Sequence, residues 1–169
     1  AEAAPAAARA LAVDAAAAVA RALPLTAIRE LWEETGLRLG RPDPAATALA
    51  ATAPADWRGF LAGGILPGVD ALRFMFRAVT PPGRPRRFDA RFFVAEATEL
   101  ADDPEAFTEG DAELRHLCWI DLAQARRLPT PFITGVVLSE VEALLADDAP
   151  SRATPYFLTD ADGSRFRLI

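Results

Sequence analysis

The chain has 169 residues, of which 51% are hydrophobic, and its formal net charge is -6 at pH 7. This length predicts one domain, 1–169, with a substantial core, and the negative charge disfavours binding to nucleic acid or to an anionic membrane. All 18 basic residues are arginine, so a catalytic lysine is excluded and a phosphate would be held by arginine or by metal.

The small numbers of cysteine and histidine residues restrict the metal sites and disulfides that the chain can form. Cys118 is the single cysteine and His116 the single histidine. An intramolecular disulfide and a structural zinc site are therefore excluded, and a bound metal would use oxygen ligands. We expect Cys118 to be a small core residue and His116 to be structural. No apolar run of about 18 residues occurs, so we expect a soluble, cytoplasmic protein.

The first part of the chain has the pattern of helices. Residues 1–22 are alanine-rich and predict a marginal surface helix. Apolar residues at helical spacing follow over 25–37, with Pro24 in a first turn and Gly36 as the stop. Prolines and glycines over 41–70 predict an irregular insert of short helices joined by turns. The apolar stripe of the helix over 25–37 consists of Leu25, Ile28, Leu31, Trp32 and Thr35.

Two consecutive strands are predicted in the middle of the chain. Over 71–79 the residues alternate, which is typical of a strand, and residues 88–97 are again rich in strand formers. We expect these two segments to pair. The alternation assigns Leu72, Phe74 and Phe76 to one face of the first strand and Arg73, Met75 and Arg77 to the other.

The last third of the chain again mixes strands and helices. We expect a strand over 114–120, and a short helix over 121–128 that starts from an aspartate cap. A longer helix over 134–148 and a terminal hairpin over 155–169, around Asp162-Gly163, complete the pattern. Strands interleaved with helices predict a mixed α/β or α+β fold.

Three glutamates stand together on the helix predicted over 25–37. With 3.6 residues per turn, Glu30 and Glu34 lie one above the other and Glu33 lies beside them. Arg29, four residues before Glu33, neutralises only part of this charge. Hard divalent cations such as Mg²⁺ prefer carboxylate oxygens, so this face is a candidate metal site. A solvated acidic helix face is the alternative.

The stretch RELWEETGL (29–37) matches, position by position, the second half of the Nudix box, R-E-U-x-E-E-x-G-U, where U is an aliphatic residue. The chain therefore resembles the Nudix hydrolases, which implies an α/β/α sandwich with a mixed sheet and a bound Mg²⁺ or Mn²⁺. In this resemblance Glu30 and Glu34 are the principal metal ligands. Glu33 is a further ligand or holds the attacking water, and Arg29 orients the carboxylates.

The first half of the box is missing from the expected positions. Its glutamate and glycine are replaced by Arg21 and Ala15, and no glycine-pair strand precedes the helix. Two explanations stay open. In the one we favour, residues 1–24 are an insert that splits the box and the glycine strand lies outside the chain shown; in the other, the domain is degenerate and inactive.

A second segment narrows the resemblance to one subgroup. Thr80-Pro81 and RRFDARFF (86–93) are similar to a segment of coenzyme A diphosphatases of the peroxisomal type, and Trp119-Ile120 resembles the end of a strand that closes many Nudix sheets. The subgroup implies hydrolysis of coenzyme A or acyl-coenzyme A, a small-molecule diphosphate partner and a possible homodimer. An ADP-sugar or nucleoside diphosphate substrate, or a non-catalytic ligand-binding domain, are the alternatives.

Further site residues are assigned by their chemistry. Arg86, Arg87 and Arg91 are candidates to bind the diphosphate or a 3′-phosphate, although Arg91 has a possible partner in Asp89. The Nudix resemblance implies a general base, for which the candidates are Glu30, Glu33 or an acid of the loop 109–113, with Glu113 as the loop candidate besides Glu109. Trp57 and Phe60 are candidates for an acyl or adenine pocket, but we expect them to pack in the core.

Overall fold

The computed structural model describes residues 9–108, 116–146, 153–160 and 163–169. Residues 9–12 are helical, and the further α-helices are α1 (Ala17–Thr35), α2 (Pro44–Ala50), α3 (Ala55–Ala62), α4 (Leu122–Ala125) and α5 (Phe132–Ala146). Its strands are β1 (Gly40–Pro42), β2 (Ile65–Pro67), β3 (Arg73–Val79), β4 (Asp89–Val94), β5 (Pro155–Asp160) and β6 (Gly163–Leu168). The predicted mixed α/β class is confirmed.

The chain divides into two compact units. The first, here called the sheet unit, comprises Ala1–Ala20, Arg73–Val94 and Ile120–Ile169, and the second, the glutamate unit, comprises Arg21–Leu72 and Ala95–Trp119. None of the helices in the described part of the chain has the length and apolar character that a bilayer crossing requires.

The sheet unit is built on a four-stranded mixed sheet with the order β4-β3-β5-β6. Strands β3 and β4 are antiparallel, with Val79 opposite Asp89, and β5 runs parallel to β3. Strands β5 and β6 form a hairpin in which Asp160 lies opposite Gly163. The predicted pairing of the two central segments and the terminal hairpin are therefore confirmed, although the turn residues 161–162 lie outside the described residues.

Strand β3 departs from the predicted division into two faces at Met75. Met75 belongs to the same buried cluster as Phe76 and Ala78, against which α5 packs, and Arg77 is only 2% exposed. The register between β3 and β4 shifts between Phe74 and Phe76, which is a bulge. Such a bulge re-aims the side chains beside it, and a central strand is covered on both sides.

The glutamate unit has its own core of buried residues, with a two-stranded ribbon of β1 and β2 beside the helices. Phe60 of α3 is fully buried and its ring meets those of Trp32 and Trp57 edge-on, with centroids 5.9 and 5.3 Å apart. The expectation that Trp57 and Phe60 pack in the core is confirmed. The buried members of this core are Ile28, Leu39, Ala46, Phe60, Leu61 and Ile65.

Two predictions for the segment before α4 are wrong. Residues 116–120 form no strand, whereas 114–115 lie outside the described residues. Instead, the ring of Trp119 lies tilted against that of Phe107, with centroids 5.9 Å apart, and its indole N–H donates to the carbonyl of Pro104 at 2.9 Å. Side-chain contacts therefore hold this stretch in place of the expected hydrogen bonds between strands. Cys118 is exposed and is not a core residue, because this irregular segment runs along the surface.

Arg38 and Asp102 form an ion pair in the glutamate unit. The backbone N–H and Nε of Arg38 donate to Oδ2 of Asp102 at 2.7 and 3.0 Å, and its guanidinium also bonds Oδ1. These hydrogen bonds, more than the burial that opposes them, hold the pKa of Asp102 below its usual value. The pair lies next to the bridge between Leu39 and Leu100.

Replacing Asp102 by asparagine should lower the free energy of unfolding by about 1–3 kcal/mol at neutral pH, because charge-assisted hydrogen bonds to Arg38 are lost. Since the pKa of Asp102 is lower in the folded than in the unfolded state, its contribution is present above about pH 4 and disappears as the pH falls further. Urea unfolding of both proteins between pH 7 and pH 3 should show the two free energies converging. A gap that stays constant down to pH 3 would contradict this account.

Candidate functional site

The three glutamates lie on the second half of α1, which is longer than predicted. The helix starts at Ala17 and contains Pro24 in its interior, whereas the sequence placed Pro24 in the first turn. The alanine-rich residues before Pro24 have high helix propensity and extend the helix toward the N-terminus. Ile28 anchors the apolar side, with no exposed surface, and Trp32 packs against the same core.

Gly36 ends this helix, as predicted. Its φ is +77°, which an L side chain rarely adopts, and a Cβ at this position would collide with Thr108. The N–H of Gly36 donates to the carbonyl of Trp32 at 2.8 Å, and the N–H of Thr108 donates to the carbonyl of Thr35 at 3.0 Å. Two of the last four carbonyls of the helix, those of Trp32 and Thr35, are thereby bonded, which supports the C-terminal end of the helix.

Arg29 forms ion pairs with two of the three glutamates. Its Nη1 bonds Oε2 of Glu33 and its Nη2 bonds Oε1 of Glu30. The pairing of Arg29 with Glu33 follows the predicted spacing of four residues. The hydrogen bond to Glu33, followed in size by the opposing effect of burial, leaves the pKa of Arg29 above its usual value, so the guanidinium remains charged at any physiological pH.

Glu34 differs from its two neighbours because no hydrogen bond or ion pair to it occurs among the described residues. Its side chain is nevertheless half-buried. Within the described ranges, no group of three or more His, Cys, Asp or Glu side chains is arranged to hold a metal ion.

A fourth acidic residue reaches this cluster from the insert 41–70. Asp56, in the first turn of α3, places its Oδ2 3.6 Å from Nε of Arg29. Asp56 could not be predicted from the sequence, because no local spacing relates it to the glutamates. The only signal in the sequence is an acidic residue at the start of a short amphipathic segment, which many helices share.

The three candidate arginines belong to the sheet unit and differ from one another. Arg86 and Arg87 are exposed and precede β4. Arg87 donates its Nε–H to the carbonyl of Thr80 at 3.2 Å. The side chain of Arg91 is only 6% exposed and pairs with Asp89 at 3.1 Å, as the sequence suggested.

Asp89 lies between two arginines. Arg77 donates to both of its carboxylate oxygens at 2.7 Å and places its guanidinium over the ring of Tyr156, 4.3 Å from the centroid. Burial raises the pKa of Asp89, but the hydrogen bonds and charges of Arg77 and Arg91 outweigh it and leave the pKa below its usual value. Arg91 thus pairs with Asp89 in this cluster, while its Nε is buried without a hydrogen-bond partner among the described residues.

The loop candidates Glu109 and Glu113 lie outside the described residues. Their assignment as general base therefore stays a prediction, as does the assignment of phosphate contacts to Arg86, Arg87 and Arg91.

Comparisons with protein-family models, with curated proteins and with solved structures found no match for this chain.

Proposed function

We propose that the chain is a Nudix-type pyrophosphohydrolase, which uses Mg²⁺ or Mn²⁺ to hydrolyse a diphosphate linkage, with coenzyme A or acyl-coenzyme A as substrate. The proposal includes an α/β/α sandwich of the Nudix type. It is supported by the match of residues 29–37 to the second half of the Nudix box and by the segment RRFDARFF (86–93). Among the alternatives, an ADP-sugar or nucleoside diphosphate would be cleaved by the same chemistry.

One observation carries the proposal: three carboxylates and one guanidinium lie within two successive turns of a helix that is anchored to the core through Ile28. Arg29 balances Glu30 and Glu33, whereas Glu34 is half-buried with no partner among the described residues. A carboxylate that loses solvent without gaining a counter-charge is unfavourable, and a divalent cation would supply that charge. The donor set, oxygen atoms alone, fits Mg²⁺ or Mn²⁺.

The proposed roles follow from these positions. Glu34 and Glu30 would hold the cation, which when bound polarises the diphosphate and the attacking water. Glu33, or alternatively Glu30, accepts the proton as water attacks one phosphorus and the bridging P–O bond breaks. Arg29 keeps the carboxylates oriented and limits their mutual repulsion. The loop residue Glu113 is an alternative base, and the exposed Arg86 and Arg87 are candidates for phosphate contacts.

The proposal is tested by incubating the protein with coenzyme A or with ADP-ribose, in the presence of Mg²⁺, Mn²⁺ or a chelator. Release of 3′,5′-ADP and phosphopantetheine, only with the metal, supports the coenzyme A assignment. Turnover of ADP-ribose alone would retain the hydrolase and reject this substrate. Absence of turnover with either compound would count against the enzyme.

A second function is favoured by the ion pairs of Arg29. Because Glu30 and Glu33 are both bonded to Arg29, the same residues suit a non-catalytic ligand-binding domain whose acidic helix is only structural. This alternative predicts that neither Mg²⁺ nor Mn²⁺ binds saturably to the helix.

A further inference from the structure

Asp56 is brought to Arg29 by the close packing of α3 against α1. The ring of Phe60 meets that of Trp32 edge-on. A Cβ on Gly59 would lie 2.7 Å from the far edge of the Trp32 indole, so the absence of a side chain permits the approach. This contact fixes the start of α3, and with it Asp56, beside the Nε edge of Arg29. The insert 41–70, which the sequence left without a role, thus borders the glutamate cluster.

Three carboxylates compete for the single guanidinium of Arg29. Glu30 and Glu33 are hydrogen-bonded to it, whereas Asp56 stands at 3.6 Å, within ion-pair range but beyond a hydrogen bond. Both Glu30 and Asp56 are about half exposed, at 50% and 49% for their side chains, so neither is immobilised by packing. The guanidinium can therefore exchange one carboxylate for another with small movements.

We propose that Asp56 is a positioning residue of the glutamate site, which retains Arg29 when Glu30 and Glu33 turn toward a divalent cation. The inference rests on the proposed function. Without Asp56, Arg29 would either keep its hold on the two glutamates, in competition with the cation, or be left with no nearby counter-charge. Asp56 offers the guanidinium a partner, and it adds negative charge that favours the bound cation.

The test is the dissociation constant of Mn²⁺, measured by electron paramagnetic resonance on the full chain without substrate. Asp56→Asn should raise this constant about two- to fivefold, as for the loss of an exposed ion pair. Asp56→Glu, which restores the charge, should recover most of the affinity. Asp70→Asn is the matched control, because Asp70 is another exposed aspartate of the insert that pairs with an arginine, Arg41, and it should change nothing.

A cycle with Arg29→Gln separates positioning from plain electrostatics. If Asp56 acts through Arg29, Asp56→Asn should have less effect on Mn²⁺ binding in the Arg29→Gln background than in the original chain. An equal effect in both backgrounds, or no effect in the original chain, would overturn the inference while leaving the proposed function in place. Failure of the unaltered protein to bind Mn²⁺ would overturn both.

Discussion

Replacing Glu34 by glutamine should lower kcat/KM for the metal-dependent cleavage of coenzyme A on the order of 100-fold or more. Even partners that only support a metal ligand change activity or affinity by about 10–100-fold, so loss of a ligand should cost at least as much. Glutamine has nearly the same size as glutamate, so the packing of α1 should persist. The melting temperature should therefore stay the same or rise, because an unpaired, half-buried charge is removed.

The matched control is Glu99→Gln. Glu99 lies in the same unit, in the short 3₁₀ turn Ala97–Glu99, and it is exposed. This variant should retain the activity of the unaltered protein at every metal concentration. If Glu34→Gln and Glu99→Gln were equally active, Glu34 would have no place among the metal ligands.

Truncation of Phe60 to alanine should lower the free energy of unfolding of the glutamate unit by about 3–5 kcal/mol, as for other large aromatic side chains removed from a core. Phe60 is fully buried and its ring is held between Trp32 and Trp57. Its loss leaves a cavity that the two large indoles cannot easily fill. Because Trp32 lies on α1, the glutamate helix should also lose support.

Tryptophan fluorescence is a selective probe for this experiment. All three tryptophans of the chain, Trp32, Trp57 and Trp119, lie in the glutamate unit, so a urea titration followed by their emission reports on that unit. Leu49→Ala, at a position 49% exposed on α2, serves as control and should change the free energy of unfolding by no more than about 0.5 kcal/mol. A loss below about 1 kcal/mol for Phe60→Ala would contradict the central position of this ring.

The parts of the fold that the sequence predicted are those that local patterns specify. Strands β3 and β4, the helix α5 and the terminal hairpin follow from periodicity and from a short connection. The prediction of a strand over 114–120 is wrong for its described part, 116–120, because a run of apolar residues does not reveal whether a partner strand is available. For the same reason the β1–β2 ribbon, which joins Gly40 to Pro67 across the insert, had no local signal.

In the candidate site, too, the contacts set by local spacing could be predicted, whereas those set by tertiary packing could not. The ion pair between Arg29 and Glu33 could be predicted because helix geometry alone brings residues four apart together. Asp56 reaches Arg29 only through the packing of two helices, which depends on the missing side chain at Gly59 and on the position of Trp32. Burial of Arg91 likewise depends on the neighbouring strand, which supplies Arg77 to the shared Asp89.

Equilibrium binding of Mn²⁺ to the unaltered protein and to Glu34→Gln, followed by isothermal titration calorimetry without any substrate, tests most directly whether the glutamate helix is a divalent-cation site. If the glutamate helix binds the cation, Mn²⁺ should bind saturably to the unaltered chain and with clearly lower affinity to the variant. Saturable binding that is unchanged in Glu34→Gln, or no saturable binding at all, would contradict a cation site on this helix.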